Sequence, residues 1–148
     1  MLVVVLQFTK PVNLHMISFI FSIKPWIRKA IGFIYLANIA WLSLSPSYNL
    51  PVIHIPYIDK VVHMCMYLGL AFLAGWIYDI GHHRVRLGYY LLAGVFMYGV
   101  LMEILQRTMH NGREFDFKDM LANLFGAIIG LLIYKYLDRM QAGKGLKV

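Results

Sequence analysis

The chain has 148 residues, of which 60% are hydrophobic and 14% are charged, and its formal net charge is +7 at pH 7. A typical soluble domain is about 45–50% apolar and about 25% charged, so a soluble fold of this length could not bury the apolar surplus. The composition excludes disordered, collagen-like and disulfide-rich proteins and predicts one compact, all-α membrane domain.

Residues 1–29 are predicted to form an N-terminal extension. Lys10 and Pro11 interrupt its apolar run, so neither piece reaches the length of a membrane span. The first nine residues contain no basic residue, which argues against a signal peptide. We expect an interfacial or loosely held segment, and a start of translation at Met16 instead of Met1 remains an alternative.

The first two predicted spans are bounded by charged residues and by a proline. The first runs from Ala30 to Ser45 and is closed by Pro46, because the residue before a proline resists helical geometry. The second covers Val61 to Tyr78 without a charge. Both approach the roughly 20 residues that a helix needs to cross the hydrocarbon core.

The third and fourth predicted spans carry ionisable residues at their ends. The third starts at Leu87, and its apolar pattern continues past Glu103, which therefore belongs to the end of that helix. The fourth has only fifteen uncharged residues, Met120 to Tyr134, which places Asp119 and Lys135 at the membrane interface. Together the four spans predict an integral membrane four-helix bundle over residues 30–137, followed by a tail of residues 138–148.

The basic residues are distributed unevenly between the two ends of this bundle. Ten of the fourteen lie on the side that holds both termini: Lys10, Lys24, Arg28, Lys29, Arg84, Arg86, Lys135, Arg139, Lys144 and Lys147. The positive-inside rule makes that side cytoplasmic, so both termini are inside and loops 46–60 and 107–118 are extracytoplasmic. We expect a multi-pass protein of the cytoplasmic (inner) membrane whose positive charge meets anionic lipid, with no nucleic-acid partner.

Polar residues gather on the side opposite the termini. Asp59, His63 and Tyr67 follow one another at four-residue steps and share one helix face. Ionisable groups at membrane depth are costly, so they face protein or a water-filled cavity. We predict that they converge with polar residues of the third and fourth helices into one ligand-binding cluster. Its predicted members are Asp59, Lys60, His63, Tyr67, Glu103, Gln106, Arg113, Asp119 and Asn123. At the other end we expect only lysines and arginines that reach the interface.

Three other features receive a structural interpretation. Gly126 and Gly130 have the spacing that lets two helices pack closely. Aromatic residues near the span ends predict an interfacial belt: Trp26, Trp41, Tyr89, Tyr90, Tyr134 and Tyr136. Asp59 and His63 have a workable metal-ligand spacing, but a third ligand would have to come from the third or fourth helix. We therefore expect no metal and no cofactor.

The ordered series of these motifs resembles the VanZ-like family of small bacterial membrane proteins. The resemblance covers about residues 30–137. Its motifs are Asp59-Lys60-Val61-Val62-His63 with Tyr67, Glu103-x-x-Gln106, Arg113 with Asp119, then Asn123, Gly126 and Gly130, and the Trp-Leu-Ser-Leu-Ser-Pro segment 41–46. It implies a protein of the cell envelope, since founding members of that family are associated with teicoplanin resistance.

Two functions fit these residues. The one we favour is a non-enzymatic protein whose polar cluster binds or modulates an envelope lipid or a lipid-linked intermediate, with Lys60, Arg107 and Arg113 meeting phosphate or carboxylate. A partner membrane protein or a second copy of the chain is a further expected contact. The alternative is a membrane hydrolase or transferase with Glu103, His63 and Asp119 as acid–base groups. A purely structural cluster of salt bridges and helix caps also remains open.

Overall fold

The computed structural model of the chain describes residues 14–46, 56–81, 84–109 and 116–143, with side chains from Ile17 onward. Within these ranges the chain forms five helices and no strand. They are α1 (Leu14–Ser22), α2 (Pro25–Leu44), α3 (Ile58–Tyr78), α4 (Val85–Thr108) and α5 (Phe117–Ala142). Helices α2 to α5 are each long and apolar enough to cross a membrane, which confirms the predicted all-α, four-helix membrane fold. The orientation with both termini inside stays a prediction.

The helix ends follow local sequence signals. Helix α2 begins at Pro25, five residues before the predicted Ala30, because the fixed φ of proline suits the first turn of a helix. It ends at Leu44, next to Ser45 and Pro46 as predicted. Helix α5 runs for 26 residues, or about 39 Å, so its charged ends continue the helix well beyond the fifteen uncharged residues. The predicted domain boundaries at residues 30 and 137 both lie within helices.

The most extensive helix contact joins α3 to α5. It depends on Gly126 and Gly130 of α5, whose Cα atoms lie directly against the backbone of α3. A Cβ atom on Gly126 would overlap the carbonyl oxygen of Met64, and one on Gly130 would overlap the carbonyl oxygen of Leu68. Small residues at this spacing allow such close approach, and they fix the register of α3 against α5.

Helix α1 is fastened to the end of the bundle that holds the termini. The Arg28 guanidinium donates hydrogen bonds to the carbonyl oxygens of Phe21, Ile23 and Trp76, and it lies 5.2 Å from the centre of the Trp76 ring. The Trp76 indole N–H donates to the carbonyl oxygen of Ile20 at 3.1 Å. This part of the N-terminal extension is therefore held against the bundle and not loosely held. Residues 1–13 lie outside the described part of the chain.

The end of the bundle that holds the termini, here called the terminal end, also contains buried polar groups. The expectation that its only polar residues are lysines and arginines was therefore wrong. The Tyr134 hydroxyl donates to Asp79 Oδ1 at 3.2 Å, and Asp138 is only 4% exposed. Tyr134 is fully buried in the core and does not belong to the aromatic belt. The other five predicted belt residues, Trp26, Trp41, Tyr89, Tyr90 and Tyr136, are all more than 60% exposed.

Candidate functional site

At the end of the bundle opposite the termini, three helices bring polar side chains together. Helix α4 ends there, and α3 and α5 begin there, so residues far apart in the sequence lie at one level. We call this group the polar cluster. Its described members are Asp59, Lys60, His63, Tyr67, Glu103, Asp116, Asp119 and Asn123.

Lys60 lies at the rim of the polar cluster and joins α3 to the start of α5. Its ammonium nitrogen is 2.6 Å from Asp59 Oδ2, 2.5 Å from Asp116 Oδ2 and 2.8 Å from Asp119 Oδ1. Three carboxylates share one ammonium group, so Lys60 is already neutralised by the protein. This arrangement differs from the expected role, in which Lys60 would meet a phosphate directly.

Asp116 is a member of the polar cluster that was not among the predicted ligand-binding residues. It is the N-cap residue of α5, and its Oδ1 accepts a hydrogen bond from the Lys118 backbone N–H at 2.8 Å. The hydrogen bond from the Lys60 ammonium, helped by that N–H, holds the pKa of the Asp116 carboxyl below its ordinary value. An aspartate directly before an apolar helix is a recognisable capping signal, which could have identified Asp116 in advance.

Deeper in the polar cluster, His63 contacts both α4 and α5. Its Nδ1 atom is 3.1 Å from Asn123 Oδ1 and 3.8 Å from Glu103 Oε1. His63 is 13% exposed at its side chain, while Glu103 and Asn123 are each 1% exposed. When Nδ1 carries the proton, it donates a hydrogen bond to Asn123 Oδ1, and the lone pair of Nε2 is then available to a ligand or an ion.

A second layer lies one helical turn below. Tyr67 follows His63 by four residues, Asn123 follows Asp119 by four, and Gly99 precedes Glu103 by four, so these three positions stack under the first layer. A Cβ atom on Gly99 would lie 3.0 Å from Tyr67 Cε1 and 3.1 Å from Asn123 Nδ2. The absence of a side chain at Gly99 therefore gives room to both polar side chains.

Two buried polar atoms of this layer have no hydrogen-bond partner among the described residues. They are the Tyr67 hydroxyl and Asn123 Nδ2, on side chains that are each 1% exposed. Buried polar groups are almost always hydrogen-bonded, and leaving one unsatisfied costs roughly 1–3 kcal/mol. These two donors therefore suit a polar molecule that enters from the cluster above.

The remaining predicted site residues have different surroundings. Gln106 is buried and donates to the Ser43 carbonyl oxygen at 2.8 Å, so it ties α4 to the end of α2. Arg107 is exposed at the end of α4. Arg113 lies outside the described residues, as do Glu114 and most of loops 46–60 and 107–118.

Two apolar grooves of about 270 and 210 Å³ run along the helices near the terminal end of the bundle. The first lies between α2 and α3 and includes Gly32 and Ile77; the second lies between α4 and α5 and includes Gly88 and Lys135. Neither groove is lined by a member of the polar cluster.

The family relationship covers almost the whole of this structure. A sequence model of the VanZ/LLP1 family matches residues 3–138. The chain belongs to the VanZ/LLP1 family. The match extends further toward the N-terminus than the resemblance over residues 30–137, so α1 is part of the VanZ/LLP1 region and not an addition to it.

This VanZ/LLP1 protein is similar to an uncharacterised protein of the fission yeast Schizosaccharomyces pombe, with 34% identity over 110 residues. The aligned region is 72% of this chain and 64% of the yeast protein, so the chain spans less than two thirds of that relative's length. No solved structure matches the chain. Family membership and four apolar helices together indicate a multi-pass membrane protein, and the yeast relative shows that similar chains occur outside bacteria.

Proposed function

We propose that this VanZ/LLP1 protein binds the polar head group of a membrane lipid or a lipid-linked envelope intermediate at the polar cluster, and that it acts by binding and not by catalysis. The observation that carries the proposal is the pair of buried donors, Tyr67 Oη and Asn123 Nδ2, which have no partner among the described residues. Both lie on helices that are long and apolar enough to cross a membrane, where lipid is the surrounding medium.

The chemistry of the polar cluster favours an oxygen-rich head group. The Tyr67 hydroxyl and the Asn123 amide can each donate to a hydroxyl, carbonyl or phosphoryl oxygen. The Glu103 and Asp119 carboxylates can accept hydrogen bonds from hydroxyl or amino groups of the same ligand. Lys60 is held by three carboxylates, so its part in this proposal is to position Asp119 and not to bind an anion.

The described charges support an extracytoplasmic polar cluster. The terminal end of the bundle carries Lys24, Arg28, Lys29, Arg84, Arg86, Lys135 and Arg139, whereas the cluster end carries Lys60, Arg107 and Lys118. Under the positive-inside rule the terminal end faces the cytoplasm. In a bacterial cell this would be the cytoplasmic (inner) membrane. An effect on sensitivity to teicoplanin or other envelope stress would then follow from binding of an envelope lipid.

A pair of tyrosine variants tests the proposal with a change of one oxygen atom each. Tyr67→Phe removes a hydroxyl that has no partner among the described residues, and Tyr98→Phe removes a hydroxyl that donates to the Leu36 carbonyl oxygen at 2.8 Å. The two rings are neighbours, with centroids 6.5 Å apart, so Tyr98→Phe is a matched control. Native mass spectrometry of each purified protein measures the lipid that remains bound.

We expect Tyr67→Phe to lose most of the bound lipid, while its thermal midpoint after removal of lipid equals that of the lipid-free wild type. Tyr98→Phe should keep the lipid and lose roughly 0.5–1.5 kcal/mol of stability, the usual contribution of one hydrogen bond. Equal lipid retention by Tyr67→Phe and the wild type would contradict the proposal. A loss of stability in Tyr67→Phe as large as that of Tyr98→Phe would show that the Tyr67 hydroxyl has a hydrogen-bond partner in the protein. That result would also contradict the proposal.

One geometric observation favours a catalytic alternative. His63 Nδ1 lies 3.8 Å from Glu103 Oε1, and a histidine beside a buried carboxylate can move protons in a hydrolase or transferase reaction. Glu103→Gln distinguishes the two functions, because loss of the base would leave substrate on an enzyme. A lipid that accumulates on Glu103→Gln, and that the wild type converts to a second species, would favour catalysis over binding alone.

A further inference from the structure

The polar cluster contains three side chains that the sequence analysis grouped as candidate acid–base residues and not as metal ligands. His63 of α3, Glu103 of α4 and Asp119 of α5 each place one ligand-type atom within 4.8 Å of the other two. Each of three helices contributes one of these residues. The sequence interpretation had no third ligand for a metal ion, and the packing of the helices supplies it.

We infer that His63, Glu103 and Asp119 form a binding site for a divalent transition-metal ion of the Zn²⁺ type. One imidazole nitrogen and two carboxylate oxygens are a donor set that suits zinc, whereas magnesium and calcium prefer oxygen atoms alone. Zinc ligands at 2.0–2.2 Å from the ion lie about 3.4 Å from one another in tetrahedral geometry. The three ligand-type atoms lie within 4.8 Å of one another, so small side-chain rotations are needed to bring them to that separation.

The charge of the surrounding groups favours a cation. Asp59, Asp116, Glu103 and Asp119 provide four carboxylates, and Lys60 provides one ammonium group within the described polar cluster. With a neutral His63, these groups have a formal charge of −3, and a divalent ion lowers it to −1. The ion would lie beside the Glu103 carboxylate, which is 1% exposed.

Neighbouring groups can orient the three ligands. Asn123 Oδ1 lies 3.1 Å from His63 Nδ1, and this contact holds the imidazole ring in position between α4 and α5. Lys60 holds Asp119 Oδ1 at 2.8 Å, which leaves Oδ2 of the same carboxylate for the ion. The Tyr67 hydroxyl and Asn123 Nδ2 lie one turn below, have no partner in the part of the chain that the structure describes, and are suited to hydrogen-bond a molecule bound next to the ion.

Zinc binding can be measured without knowledge of the lipid. The full chain, purified in detergent with a tag that contains no histidine, is treated with a chelator and titrated with Zn²⁺ by calorimetry. Metal content after dialysis gives the stoichiometry. The ligand variants are His63→Ala, Glu103→Gln and Asp119→Asn. The matched controls are Asp79→Asn, whose carboxylate lies at the opposite end of the bundle beside Tyr134, and the double variant His82→Gln/His83→Gln, which removes the adjacent histidines elsewhere in the chain.

We expect the wild type to bind one zinc ion per chain and each ligand variant to bind it at least about tenfold more weakly. Both controls should keep the wild-type affinity, and Mg²⁺ should not displace the zinc. The visible spectrum of the Co²⁺-loaded wild type should show nitrogen and oxygen ligands, a readout that does not depend on any variant folding. Absence of stoichiometric zinc in the wild type would overturn the inference. The inference would also be overturned if the His82→Gln/His83→Gln variant lost the zinc ion while the three ligand variants kept it.

Discussion

Replacement of Gly126 by alanine tests the contact that positions the polar cluster. A Cβ atom at this position would overlap the Met64 carbonyl oxygen and lie 2.9 Å from the Met64 carbonyl carbon and 3.1 Å from the Leu68 nitrogen. Nonbonded carbon atoms prefer a separation of about 3.5–4.0 Å, so α3 and α5 must move apart by close to 1 Å. Overpacking of this kind costs about 1–3 kcal/mol.

Gly94→Ala is the matched control for this substitution. Gly94 also lies within a helix, but a Cβ atom there would meet nothing within 4 Å. Both changes gain the same intrinsic helix preference of alanine over glycine, so the difference between the two variants isolates the overlap. Thermal unfolding in one detergent, followed by tryptophan fluorescence, should place Gly126→Ala about 1–3 kcal/mol below Gly94→Ala. Equal stability of the two variants would refute the close α3–α5 packing described above.

Two further predictions concern the rim of the polar cluster and the orientation of the chain. Lys60→Met leaves three carboxylates without their shared cation. It should destabilise the protein by about 1–3 kcal/mol, between the values for exposed and fully buried ion pairs. The exposed Lys118→Met should change stability by less than about 0.5 kcal/mol. In a Cys65→Ser background, a membrane-impermeant maleimide added to intact cells should label Met109→Cys and not Gly143→Cys.

Each of these two predictions has a distinct contrary result. If Lys60→Met and Lys118→Met unfold at the same midpoint, the three ion pairs of Lys60 do not contribute to the fold. If the maleimide labels Gly143→Cys in intact cells and labels Met109→Cys only after permeabilisation, the orientation is reversed. The polar cluster would then face the cytoplasm, and an extracytoplasmic ligand would be excluded.

The sequence predicted the four membrane helices because an apolar run with charged ends depends on local composition alone. Steps of four residues also predicted which polar side chains share a helix face, as for His63 with Tyr67 and for Asp119 with Asn123. The structure brings these faces together at one end of the bundle. The register of α3 against α5 follows from Gly126 and Gly130. Their spacing was visible in the sequence, but their contact partners on α3 were not.

What could not be predicted depends on which groups meet across helices. Lys60 was expected to face a ligand, yet it is held by Asp116 and Asp119, which begin a helix more than 50 residues away. Tyr134 has the position of an interfacial aromatic residue, but α1 and α3 cover it completely. In both cases the partner comes from tertiary packing, which residue spacing within one helix does not report.

Binding of a ligand by the buried layer beneath His63 and Glu103 is tested most directly by a crystal structure of the protein extracted together with its native lipids. We expect electron density of a non-protein molecule within hydrogen-bond distance of the Tyr67 hydroxyl and Asn123 Nδ2. Hydrogen bonds from both atoms to the protein's own groups, with no such density, would contradict it and would make the polar cluster a structural feature of the bundle.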